Sequence, residues 1–159
     1  MSRKLPPPPA RTGPVRPSAH ARTVLSPATG AVISGGFWHV RRAVNAAVSV
    51  PQGPELLESA GNLHDLRLVA GAVEGAFEGD YPFMDSDVYK WLEAASWQLG
   101  QDGPPQEPAA DRAELHREVD RIVALVAAAQ QPDGYLNTWF QAGRGRGRYT
   151  DLRWGHELY

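Results

Sequence analysis

Residues 82–95, PFMDSDVYKWLEAA, gather two acids, a lysine, a tyrosine and a tryptophan at the start of what otherwise reads as a core helix. Val88, Trp91, Leu92, Ala95 and Leu99 recur at i, i+3, i+4, i+7 and i+11, one apolar stripe at helical period. Asp85 and Ser86 are favoured N-cap types, and Asp87 in the first turn suits the positive end of the helix dipole. The stretch therefore marks where a buried helix begins and sets a polar cluster at its mouth, beside any cavity there. A plain structural reading stands next to this one, with Asp85 and Asp87 as caps and Trp91 as core.

Downstream, residues 100–110 carry Pro104, Pro105 and Pro108 and read as a loop. Asp111 opens a second helix, with Glu114 three residues on in a capping-box arrangement. Its inner stripe is Leu115, Val119, Ile122, Val123, Val126 and Ala129, with Arg112, Arg117, Asp120 and Arg121 facing water, and Pro132 ends it. Two such helices joined by a proline-rich loop predict an antiparallel helical hairpin, the unit of α/α bundles and toroids. Upstream, residues 55–69 form a moderately amphipathic helix broken at Gly61, with Leu56, Leu63, Leu66 and Val69 on one face. His64 in it reads as a surface or satisfied histidine, because no second ligand stands at i+4. Before that, AVISGGFWHVRRAV predicts a short strand at Val32–Ile33 turning into a short helix that ends before Pro51, with Phe37 and Trp38 as core anchors.

Residues 130–140, QQPDGYLNTWF, are the second informative stretch. Pro132, Asp133 and Gly134 suit a tight turn, and Tyr135, Leu136, Thr138, Trp139 and Phe140 are extended-chain types. Rings interleaved with Asn137 and Thr138 suit a carbohydrate site, where flat rings cover C–H faces and amides bond hydroxyls. They suit any buried loop as well. Arg144, Arg146 and Arg148, spaced by glycines, read as a solvated loop or a nucleic-acid tract. The terminal RWGHELY holds His156 and Glu157 side by side, which is not the i, i+4 spacing of a helical metal pair.

Composition narrows the classes. The 159 residues, 42% hydrophobic, suffice for one cored domain but not for a large enzyme. Residues 1–30 hold five bases, no acid and seven of the fourteen prolines, a disordered leader by composition. The remaining chain sets 11 bases against 18 acids, a net of −7, which argues against nucleic acid as a partner. No apolar run spans a membrane, and the prolines at 6–9 stand where a signal peptide needs an apolar core, so the chain reads as cytoplasmic. Cysteine is absent, which removes thiolate nucleophiles and cysteine metal ligands from these residues.

PFMDSDVYKWLEAAS, AAQQPDGYLNTWF and RWGHELY, in that order and spacing, resemble glycoside hydrolase family 127, the β-L-arabinofuranosidases. VISGGFWHVRR and GNLHDLRLVAG are similar to the family's opening strand and first helix, so the likeness covers residues 31–159. It implies an all-α fold: the first helical hairpins of an (α/α)6 toroid, with a short N-terminal strand, behind the leader of residues 1–30. It also implies a retaining hydrolysis in which a cysteine thiolate attacks the anomeric carbon. Zinc held by cysteines and a glutamate tunes that thiolate, and a separate glutamate is the acid/base. Without cysteine, these residues are expected to contribute no catalytic residue and no zinc ligand. They are expected to be the N-terminal, inactive part of such a catalytic domain, with an apolar helix face left open to self-association.

The resemblance assigns His156 a substrate-binding place in the sugar pocket and makes Asp87, Trp91, Tyr135 and Asn137 candidate sugar contacts. Asp85 and Asp133 also match the motifs, without an assigned contact. Glu157 is not assigned as general acid, since nothing around it in the sequence argues for a raised pKa. The expected partner is an L-arabinofuranoside-like carbohydrate. The rivals are a non-catalytic helical module that binds sugar or protein, and a nucleic-acid binder using the Arg-Gly loop and basic tail.

Overall fold

The computed structural model describes residues 33–100, 109–155 and 157, with backbone only at 109, 110 and 155. The predicted leader over residues 1–30, most of the proline loop and His156 lie outside the described residues. Seven α-helices are described: α1 (Gly36–Val44), α2 (Val50–Ser59), α3 (Asn62–Val69), α4 (Asp85–Gly100), α5 (Ala109–Ala129), α6 (Thr138–Gln141) and α7 (Leu152–Gly155). A π-helical turn, Asn45–Ser49, joins α1 to α2. No strand occurs among the described residues, and none of their helices is long and apolar enough to cross a membrane.

The largest departure from expectation is at the start. Of the strand expected at Val32–Ile33 only Ile33 lies among the described residues, and the helix that follows does not stop before Pro51 but runs on as α2 through Pro51 and Pro54. Proline costs a helix because it donates no bond to the carbonyl four residues back. The chain meets this in two ways. Just before Pro51 the helix widens into the π turn, in which Val50 N–H reaches Asn45 O. At Pro54 the stranded carbonyl is Val50 O, and it accepts the Trp91 indole N–H at 2.9 Å in a buried setting. The lost intrahelical bond thus becomes a tie between α2 and α4. Gly53 makes that approach possible: a Cβ there would stand 2.0 Å from Trp91 Cδ1.

The core lies where α2, α3, α4 and α5 meet: Val50, Leu57, Leu63, Leu66, Val88, Trp91, Ala95, Leu115, Ile122 and Ala129 are buried, with Leu92, Leu99, Val119 and Val126 packed against them. The α4 stripe behaves as its period requires. In α5, Val123 is 49% exposed and Leu125 packs on the core in its place; in α2, Leu56 is exposed and Leu57 is buried. Phe37 and Trp38 are not core anchors. At 63% and 67% exposed they sit edge-to-face with each other, on a helix whose Val40 and Val44 also face out. Gly61, at φ 84°, separates α2 from α3 in the left-handed conformation that glycine adopts without strain.

α4 and α5 form the predicted antiparallel hairpin. Arg112 near the start of α5 does not face water: it reaches back to Leu99 O at the end of α4. At the opposite end, the segment following α5 returns to the start of α4. Pro132–Gly134 make the tight turn, closed by Gly134 N–H to Gln131 O at 2.8 Å. Thr138, Trp139 and Phe140, expected extended, form a helical turn with Gln141 instead, while Tyr135 and Leu136 are not helical. Asn137 caps it by accepting Phe140 N–H, and Gln141 Oε1 takes the Asn137 N–H in return.

Candidate functional site

α3 holds the approach to the site. Asn62 and Asp65, three residues apart, share one face of the helix and are both buried. Asn62 Nδ2 donates to Met84 O at 2.6 Å, and Asp65 Oδ1 accepts Glu78 N–H at 2.8 Å. Beside them His64 Nε2 bonds Ala76 O at 3.0 Å, so the histidine is satisfied, as its sequence context predicts. These contacts pin the loop that delivers the chain to α4.

Asp85 does not cap its own helix as predicted. It is 6% exposed, and its carboxylate crosses to the second motif, accepting Thr138 N–H at 2.8 Å and Thr138 Oγ1–H at 2.5 Å. Asn137 Nδ2 donates in parallel to Pro82 O at 3.2 Å. Burial pushes the Asp85 carboxyl above the usual carboxylate range. The Thr138 bonds favour the charged form without cancelling that effect, and the Asp65 carboxylate adds to the upward shift. Burial also raises the Asp65 carboxyl. Tyr89, one turn along α4, keeps its proton for the same reason, with Asp85 reinforcing it, and its hydroxyl is buried without a protein partner.

Above this contact lies a cleft of about 60 Å³ lined by Pro82, Phe83, Asp85, Ser86, Tyr89, Leu136, Asn137 and Glu157. Its lining comes from all three motifs singled out in the sequence. Ser86 and the Tyr89 hydroxyl supply its free polar groups, while the Asp85 and Glu157 carboxylates in the lining are turned to protein donors; Pro82, Phe83 and Leu136 supply apolar wall. Such a surface can meet a polyol with C–H faces, and the cleft is well below the roughly 300–1,000 Å³ of drug-sized pockets.

The predicted contacts scatter around it. Asn137 lines the cleft, with both ends of its amide bonded within the protein. Tyr135 stands behind the lining, 8% exposed, with its hydroxyl donating to Glu157. Trp91 lies in the core on Val50 O, and Asp87 is exposed beside Lys90 at 3.1 Å. Asp133 takes Arg148 at 2.5 Å. The arginines of the Arg-Gly loop are not merely solvated: Arg144 lies 5.0 Å from the Trp139 ring centroid and 5.9 Å from that of Phe77, and Arg148 lies 3.9 Å from that of Tyr135. Asn62, Asp65 and the anchoring role of Glu157 have no counterpart in the sequence reading; the i, i+3 spacing of Asn62 and Asp65 on one helix face is the signal that could have found the first two.

Residues 32–159 match the model of the β-L-arabinofuranosidase GH127 catalytic domain. The chain belongs to the GH127 family. It is 39% identical over 114 residues to a non-reducing end β-L-arabinofuranosidase of Bifidobacterium longum subsp. longum, a match covering 69% of this chain and 16% of the relative. A GH127 β-L-arabinofuranosidase from Geobacillus stearothermophilus T6 superposes with a TM-score of 0.67 at 34% identity, covering 78% of this chain and 19% of that one. A second GH127 β-arabinofuranosidase structure gives 0.65 at 27%, covering 77% and 19%. The chain therefore spans less than a fifth of the relatives it matches. With these neighbours, the all-helical architecture is that of a partial α/α toroid.

The zinc that the family implies does not fit the residues present. Cysteine is absent, and no group of three or more histidine, aspartate or glutamate side chains among the described residues is placed to hold a metal. No step is assigned through zinc here.

Proposed function

We propose that this GH127 chain supplies one wall of the sugar pocket of a glycoside hydrolase acting on L-arabinofuranosides. The observation that carries the reading is the convergence of three motifs, 82–89, 136–137 and 157, on one cleft, although as many as 75 positions of sequence separate them. Asp85 joins the first two motifs, and Glu157 brings in the third. On this reading the cleft binds and orients the sugar, and His156 hydrogen-bonds it. The thiolate nucleophile and its zinc come from residues other than these 159.

The test is to offer the chain methyl β-L-arabinofuranoside and p-nitrophenyl β-L-arabinofuranoside. Saturation-transfer NMR is expected to show binding of the first, and p-nitrophenol release from the second is expected to be nil. Binding no stronger than that of methyl β-D-galactopyranoside would remove the reading. It would favour a helical module with another partner.

A further inference from the structure

Among the described residues Tyr149 is the one non-glycine with a positive φ, 58°. A bulky side chain is strained in that region, and such strain persists only where the surroundings over-determine it. Here the surroundings are specific. Tyr149 N–H donates to Glu157 Oε2 at 2.6 Å, while Glu157 Oε1 accepts the Tyr135 hydroxyl. The Tyr135 and Tyr149 rings meet edge-to-face with centroids 5.7 Å apart. Arg148 lies over the Tyr135 ring and bonds Asp133, and Asp133 in turn accepts Tyr135 N–H at 3.1 Å. Both oxygens of Glu157 are thus engaged, and the tyrosine hydroxyl is a donor fixed by burial and by the carboxylate it faces.

We propose that Glu157 is a positioning residue. Held by Tyr135 and Tyr149, it fixes the chain at residue 157 against the cleft and acts as neither proton donor nor sugar ligand. The inference rests on the sugar-pocket reading above and deepens it. If Glu157 were the acid/base, its carboxylate would have to face the glycosidic oxygen, yet both oxygens face protein donors. If Tyr135 were a sugar ligand through its hydroxyl, that proton would have to be available, yet Glu157 takes it. The pair also accounts for the strain, since the carboxylate bond to its amide is what holds Tyr149 in the left-handed region. Asp85–Thr138 ties the first motif to the second, and Tyr135–Glu157 ties the second to the third.

The experiment compares the 159-residue chain with Tyr135→Phe and Glu157→Ala by two readouts, amide hydrogen exchange at residue 149 and affinity for methyl β-L-arabinofuranoside. The Trp91 indole resonance reports that the fold is intact. Exchange at Tyr149 is expected to rise about tenfold or more in both variants, as for a local opening released from the global one. Sugar affinity is expected to fall at least about fivefold in Tyr135→Phe with the unfolding midpoint unmoved, a split that a purely structural residue does not give. Unchanged exchange at residue 149 overturns the proposal, as does faster exchange with unchanged sugar affinity. If the unsubstituted chain binds no arabinofuranoside, the sugar-pocket reading is what fails, and the exchange data still decide whether Glu157 fixes the chain at residue 157.

Discussion

Replacing Trp91 by phenylalanine tests how the fold tolerates a proline inside its second helix. Pro54 donates no bond to Val50 O, and the indole N–H fills that place at 2.9 Å in the core. Trp91→Phe keeps an aromatic ring but strands the carbonyl, at a cost of about 1–3 kcal/mol, with a further cavity term for the smaller ring. In a Pro54→Ala background residue 54 regains an N–H four residues after Val50, so the same substitution leaves the carbonyl paired and only the cavity term remains. The cycle therefore predicts that Trp91→Phe is less costly in the Pro54→Ala background by about 1–3 kcal/mol, within the range of coupling found for residues in contact. In a domain of this size that is roughly 2–12 °C in Tm. The assay is thermal and urea unfolding followed by circular dichroism, since changing a tryptophan compromises fluorescence. Equal losses in the two backgrounds would refute the claim that the indole replaces the missing helical donor.

Three further variants probe neighbouring parts of the molecule. Gly53→Ala puts a methyl group 2.0 Å from Trp91 Cδ1, an overpacking expected to cost about 1–3 kcal/mol and readable as a lowered Tm. Asp85 has a raised folded-state pKa, so the folded state holds its proton more tightly than the unfolded chain. That contribution is fully present below the unfolded value and is lost as pH rises through the folded one. The Tm of the unsubstituted chain minus that of Asp85→Asn should therefore shrink as pH rises above about 4, the ordinary aspartate value; a difference that widens instead would count against burial as the dominant cause. Phe37→Lys with Trp38→Glu removes the exposed aromatic pair on α1 and should shift the chain towards monomer in analytical ultracentrifugation at neutral pH; an unchanged distribution would mean that this face drives no self-association.

What the sequence made legible follows from how local each signal is. The α4 stripe needed only period and burial, and every member of it faces the core. The Pro132–Gly134 turn is set by residues that act on their own backbone. The α1–α2 run is not legible locally, because proline ordinarily terminates a helix. It is tolerated here through a bond supplied by Trp91, 41 positions away, which no local window contains. Phe37 and Trp38 were misplaced because aromatic character says that a side chain favours burial, not that the described residues offer it any. For Asp85 the favoured cap type was legible, but its partner Thr138, 53 positions away, was not. Tyr135 is a candidate sugar contact by resemblance, and its hydroxyl is engaged by Glu157, a pairing set by tertiary structure.

Residue-resolved chemical-shift mapping reads whether the three motifs meet in one sugar-binding surface. A titration of the 15N-labelled chain with methyl β-L-arabinofuranoside should move the amides of Asp85, Ser86, Asn137 and Glu157 together, with one common dissociation constant. Shifts confined to the Arg-Gly loop, or none at the cleft under saturating sugar, would contradict such a surface.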